Sequence, residues 1–118
     1  MTHYVVVRAD LPPGFLAAQI VHAAGESSPG NIGPGTNAVV LAATREELGA
    51  LEQRLVESGI AHVAVREPDE PWGGALTAIG LVPVMSRASL HDHLSGFKLY
   101  RGVPRATGVP PANAPVAQ

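Results

Sequence analysis

The chain has 118 residues, 46% of them hydrophobic but only 4% aromatic, and a formal net charge of −2. That suffices for one domain with a core of Val, Leu, Ile and Ala, and leaves little room for two. The absence of cysteine excludes disulfides, thiolate metal sites and a cysteine nucleophile, and with Lys98 as the single lysine there is no overall basic excess to grip phosphates.

Residues 4–8 (YVVVR) are a β-branched run without polar alternation, which predicts a strand buried on both faces. The segment MTHYVVVRAD has no basic region ahead of a long apolar run, and no stretch approaches the ~20 apolar residues of a membrane span. Neither a signal peptide nor a membrane segment is expected, and a cytoplasmic location is. Pro12, Pro13 and Gly14 punctuate the first strand. Residues 15–24 then place Leu16, Ile20, Ala23 and Ala24 on one helical face, with Gly25 as the stop.

Residues 26–36 (ESSPGNIGPGT) read as a loop and residues 37–43 (NAVVLAA) as a second strand. Thr44 and Glu47 match a capping box, in which each side chain satisfies a free backbone N–H of the first helical turn. Leu48, Leu51 and Leu55 carry that helix to a stop at Gly59. Residues 60–66 are a third strand, residues 67–74 (EPDEPWGG) an acidic loop with the only tryptophan, and residues 75–84 a fourth strand. Ser86 caps a last helix with Leu90 and Leu94 that ends near Gly96, and Leu99 and Tyr100 add a short packed segment.

The order β-α-β-α-β-β-α predicts an α/β domain over residues 1–101. Helical crossovers imply parallel pairing, and the short link between the third and fourth strands allows an antiparallel pair. Residues 102–118, rich in Pro, Ala and Gly, have little to bury and are expected to form a flexible tail.

Two groups of residues are candidates for chemistry. Arg8 and Asp10 close the first strand, where ligands of α/β folds often bind, and Gln19 and His22 are three apart on the following helix, predicted to face the same way. A neutral histidine there acts as a base near pH 7; equally, His22 bonds a local backbone group and Gln19 caps something nearby. The second group is Glu67, Asp69 and Glu70 of the acidic loop, with Trp72 and Thr77. A carboxylate orients a histidine or a water, a threonine hydroxyl donates to an oxyanion, and an indole stacks on a base or sugar. The plainer alternatives are a solvated acidic turn, a threonine chosen for its strand propensity and a tryptophan that covers the core. No metal site is expected: His91 and His93, two apart on a helix, do not face each other. The glycines form no phosphate loop or dinucleotide fingerprint, and there is no G-x-S-x-G elbow.

Residues 8–11 (RADL) followed by residues 14–23 (GFLAAQIVHA) resemble the signature of the second, archaeal and eukaryotic-type, family of peptidyl-tRNA hydrolases, roughly R-x-D-L, a few residues, then G-K-x-A-A-Q-x-x-H-A. Residues 76–83 (LTAIGLVP) are similar to that family's T-V-L-G-I-G-P strand, and residues 93–100 (HLSGFKLY) to its terminal helix and short last strand. The likeness spans residues 3–100. It implies a three-layer α/β/α sandwich, here around a small mixed four-stranded sheet, which commonly forms a homodimer. It also implies cleavage of the ester between a peptide and the terminal ribose of tRNA, with no cofactor. His22 matches the helix histidine, Gln19 the motif glutamine and Thr77 the threonine opening the last long strand, while Asp69 stands near the aspartate of a D-A-G-x-T loop. Phe15 occupies the position of the motif lysine, and a phenyl ring makes neither a phosphate nor an oxyanion contact.

These readings give a leading expectation and two alternatives. The first is an esterase acting on peptidyl-tRNA, with His22 steered by Asp69, Thr77 supporting the oxyanion, and Arg8, Asp10, Gln19 and Trp72 holding substrate. The second is a non-catalytic binding module on the same fold, motivated by Phe15 and the missing basic excess. The third is a hydrolase for a different small ester or amide, with Trp72 and Phe15 lining an apolar pocket. Convergence of Arg8, Arg66, Arg87 and Arg101 on one crevice favours the enzyme; dispersion favours the binder.

Overall fold

A computed structural model describes residues 1–30 and 32–102. The predicted tail, apart from Gly102, lies outside the described residues. The elements run β1 (Thr2–Arg8), α1 (Pro13–Ser27), β2 (Asn37–Ala43), α2 (Arg45–Glu57), β3 (His62–Glu67) and β4 (Ala75–Leu81), followed by a 3-10 turn (Arg87–Leu90), α3 (His91–Leu94) and β5 (Lys98–Leu99).

The domain is α/β as expected, but its sheet has five strands, not four, in the order β3-β4-β1-β2-β5. The fifth strand is the short segment expected around Leu99. Lys98 and Leu99 pair antiparallel with Ala42 and Leu41, and the Tyr100 amide donates to Val40. Two residues are too few for strand periodicity, so only their neighbour identifies them as a strand. β1 and β2 are parallel, while β4 runs antiparallel to both β1 and β3. At the far end of its predicted span β4 stops at Leu81. Pro83 has no N–H for the ladder, and pairing resumes as a single bridge between Val84 and Thr2.

Helices cover both faces. Under α2 and α3 lies a leucine-rich core in which Val6, Leu48, Leu51, Leu55, Ile79 and Leu81 are fully buried. Under α1 lies a second core of smaller residues, including Val5, Val7, Ala23 and Ala78. The alternation of β1 explains the division, because Val6 points to one face and its neighbours to the other. The capping box of α2 is present as read: the Glu47 amide donates to Thr44 Oγ1 (3.1 Å), and the Thr44 amide donates to Glu47 Oε1 (2.8 Å).

Helix α1 runs through Gly25 to Ser27. The Ser27 hydroxyl donates to the Ala23 carbonyl (2.6 Å) and faces His3 Nε2 at 2.8 Å. Its one proton goes to the carbonyl, so the imidazole is the donor in the second bond. Below it, Gly80 lets the helix approach β4 closely: a Cβ there would lie 2.2 Å from the Ala23 carbonyl oxygen.

Candidate functional site

Helix α1 leaves the carboxyl end of β1 on one face of the sheet, and α2 leaves the carboxyl end of the adjacent β2 on the other. Between such diverging connections no chain covers the strand ends, and a crevice remains. It measures about 480 Å³ and is lined by Arg8, Ala9, Asp10, Ala43, Thr44, Arg45 and Glu46. Its walls are charge-balanced, with two arginines and two carboxylates.

Arg8 is the fixed part of this wall. Its side chain is 9% exposed, against 60% for that of Asp10. Nε donates to Asp10 Oδ1 (3.0 Å) and a terminal nitrogen to Oδ2 (2.8 Å). These bonds hold the Asp10 carboxyl below the usual carboxylate range and raise the Arg8 guanidinium, with burial opposing in both cases. The guanidinium carbon also lies 5.6 Å from the centroid of the Trp72 ring, within cation–π range. Phe15 stacks on that same ring at 4.9 Å between centroids and 8° between planes. The residue in place of the motif lysine thus helps hold Trp72.

The loop that presents Trp72 is wound on its own backbone. Trp72 and Gly73 donate to the Asp69 carbonyl, and Gly74 donates to the Glu67 carbonyl. Gly73 and Gly74 adopt φ of 54° and 90°, which explains two glycines directly after the tryptophan.

A buried polar pair lies deeper. The Thr77 hydroxyl, fully buried, donates to Gln19 Oε1 at 2.6 Å and reaches the Val65 carbonyl at 3.2 Å. Gln19 Nε2 points to Glu67 Oε1 at 3.5 Å. A β-bulge brings Thr77 there. Val65 pairs with Ala78 and Arg66 with Leu76, so Thr77 is the extra residue of β4. The bulge turns Thr77 toward α1 and leaves Leu76 and Ile79, three apart, in the same leucine-rich core.

His22 sits apart from these groups. Its side chain is 62% exposed, with Nδ1 3.7 Å from Glu26 Oε2 one turn along the helix. The expectation that it would share the orientation of Gln19 does not hold: three residues advance a helix to about 60° from the start, enough to cross the rim of the buried stripe. Asp69 is exposed, and among the described residues no hydrogen bond or ion pair joins it to His22. Arg8, Asp10, Phe15 and Trp72 therefore come together, as do Gln19, Thr77 and Glu67, while His22 and Asp69 each stand alone.

Thr44, Arg45 and Glu46 line the crevice without having been candidates. Their signal in the sequence is that of a helix start; that this start faces Arg8 depends on strand order. Among the described residues no group of three or more metal-ligating side chains forms, and no helix is long and apolar enough to cross a membrane.

No protein-family model and no curated protein matches the chain. Among solved structures it is similar to Atu0240, a protein of unknown function from Agrobacterium tumefaciens strain C58, with 21% sequence identity. The match covers 85% of this chain and 97% of that one at a TM-score of 0.55, a likeness of fold alone.

Proposed function

We propose that the chain is a binding module for a small polar ligand bearing both charges, such as an amino acid or short peptide, and that it does not hydrolyse peptidyl-tRNA. That Arg8 and Arg66 are each held by a carboxylate, with Arg87 remote from both, carries this reading. Arg8 lines the crevice, Arg66 pairs with Glu52 of α2 at 2.8 Å, and Arg87 reaches Thr2 at the opposite end of β1. A strand of that length spans about 20 Å, which sets Arg87 far from Arg8. Arg66 lies at the same end of the sheet as Arg8, but Glu52 holds it as Asp10 holds Arg8, so these cations form no open phosphate-binding face. The balanced walls of the crevice match a zwitterion, and its volume falls in the range of small-molecule sites. The buried Thr77 hydroxyl, with its proton directed to Gln19, supports the same reading, because an oxyanion must reach its donor.

The hydrolase reading keeps one observation in its favour: Gln19, His22 and Thr77 match the family motifs residue by residue. Two measurements separate the readings. Trp72 is the only tryptophan and lies under Arg8, so its emission reports occupancy of the crevice. Titration with free amino acids and dipeptides is expected to give a saturable change that Arg45→Gln weakens. Labelled N-acetyl-aminoacyl-tRNA is expected to remain intact. Release of the acyl group by wild type, abolished in a folded His22→Ala variant, would overturn the binding module in favour of the esterase.

A further inference from the structure

The walls of the cavities differ in charge. In the crevice at Arg8 and Arg45 the cations face Asp10 and Glu46. A cavity of about 380 Å³ between α2 and α3 sets Arg54 and His93 against Glu47 and Asp92. One of about 240 Å³ beside Lys98 includes Glu47. A fourth, of about 200 Å³, lies on the leucine-rich face of the sheet, against the 3-10 turn and α3. It has two basic residues, Arg87 and His91, and no carboxylate in its lining.

We propose that this fourth cavity binds a small amphipathic anion, a carboxylate on a short aliphatic or aromatic body. It lies on the opposite face of the sheet from Gln19 and Thr77 and is independent of the crevice reading. The floor is apolar: Leu41, Leu90 and Leu94 are buried core residues, and the Tyr4 ring packs on the same core. The rim supplies the polar contacts. Arg87 Nε reaches Thr2 Oγ1 at 3.4 Å, and its terminal nitrogens have no partner among the described residues. Nor do the His91 ring nitrogens or the Tyr4 hydroxyl. A guanidinium with its outer fork open takes a carboxylate through two parallel bonds, and no fixed acid in the wall competes for it. The volume is below the usual range for drug-sized ligands, which limits the body to roughly ten heavy atoms.

The test uses the full chain, with benzoate and hexanoate as probes and benzamide as the neutral control. Amide chemical shifts are followed by NMR at neutral pH and low salt. Both carboxylates are expected to shift Leu41, Leu90, His91 and Leu94 saturably. Benzamide is expected to bind at least about tenfold more weakly, as loss of a charged hydrogen-bonding pair implies. Arg87→Gln, at an exposed position, should weaken benzoate by a similar factor with an unchanged melting temperature, and Arg87→Lys should recover part of it. Equal affinity for benzoate and benzamide, full affinity in Arg87→Gln, absence of saturation, or shifts centred on Arg8 would each overturn the assignment.

Discussion

The two faces of the sheet are built from different materials. Under α2 and α3 the buried groups are mostly hydrocarbon, dominated by leucines whose packing carries no direction, with Thr2 a polar exception at the edge. Under α1 the core is thinner and interleaved with polar side chains: His3, Gln19, Ser27 and Thr77 are all buried there. Each has a partner, and among the described residues no buried side-chain nitrogen or oxygen lacks one. The hydrocarbon face gains stability from area removed from water. The polar face gains little net free energy per hydrogen bond, but each bond fixes a position, and an unmatched partner is costly. The leucine-rich face therefore anchors the fold, while the α1 face fixes where helix and strand meet at the carboxyl ends of β1 and β2.

Substitutions can break this contrast. The largest effect is expected on the hydrocarbon face: Leu51→Ala, at a fully buried site, should cost about 2–5 kcal/mol in urea unfolding. On the α1 face, Gly80→Ala adds a methyl group 2.2 Å from a helix carbonyl and must push α1 away. A loss of about 1–3 kcal/mol is expected; no loss would mean that the close helix approach contributes nothing.

The polar pair sharpens the comparison further. Thr77→Val leaves Gln19 Oε1 buried without its donor and should cost about 1–3 kcal/mol. Adding Gln19→Met removes the second partner, and most of the loss should return. If the double variant is no better than the single one, the pair does more than satisfy itself.

The smallest effect is a dependence on pH. Burial lowers the His3 imidazole below its ordinary 6.5. Between the folded and unfolded values the unfolded chain holds the extra proton, so stability is full above 6.5 and falls as pH drops through that window. Melting temperatures across it should slope upward with pH, and His3→Gln should flatten the slope. An unchanged slope in that variant would assign the effect to another group.

Much of the architecture is legible in sequence because the signals are local. The YVVV run, the Thr44–Glu47 box and the leucine stripe of α2 each depend on a few adjacent residues, and each appears as read. Helix α1 is less legible. Its buried stripe is Leu16, Gln19, Ala23 and Ser27, half of it polar, so hydrophobic periodicity places Gln19 on the wrong side of the boundary. Gly25 is a stop signal in the sequence, but packing against Gly80 and the His3–Ser27 bond carry the helix past it. The candidate site divides in the same way: Arg8 and Asp10, two residues apart on one strand end, meet, whereas His22 and Asp69 do not.

The sequence by itself determined the α/β class, the four long strands, the two long helices and the placement of Arg8 and Asp10 at the end of the first strand, because each follows from spacing along the chain. Only the tertiary structure decided that a fifth strand closes the sheet, that a bulge aims Thr77 at Gln19, and that Phe15 stacks on Trp72. Those features join residues far apart in the chain, and no local pattern encodes which distant partner will satisfy a buried hydroxyl or cover an aromatic ring.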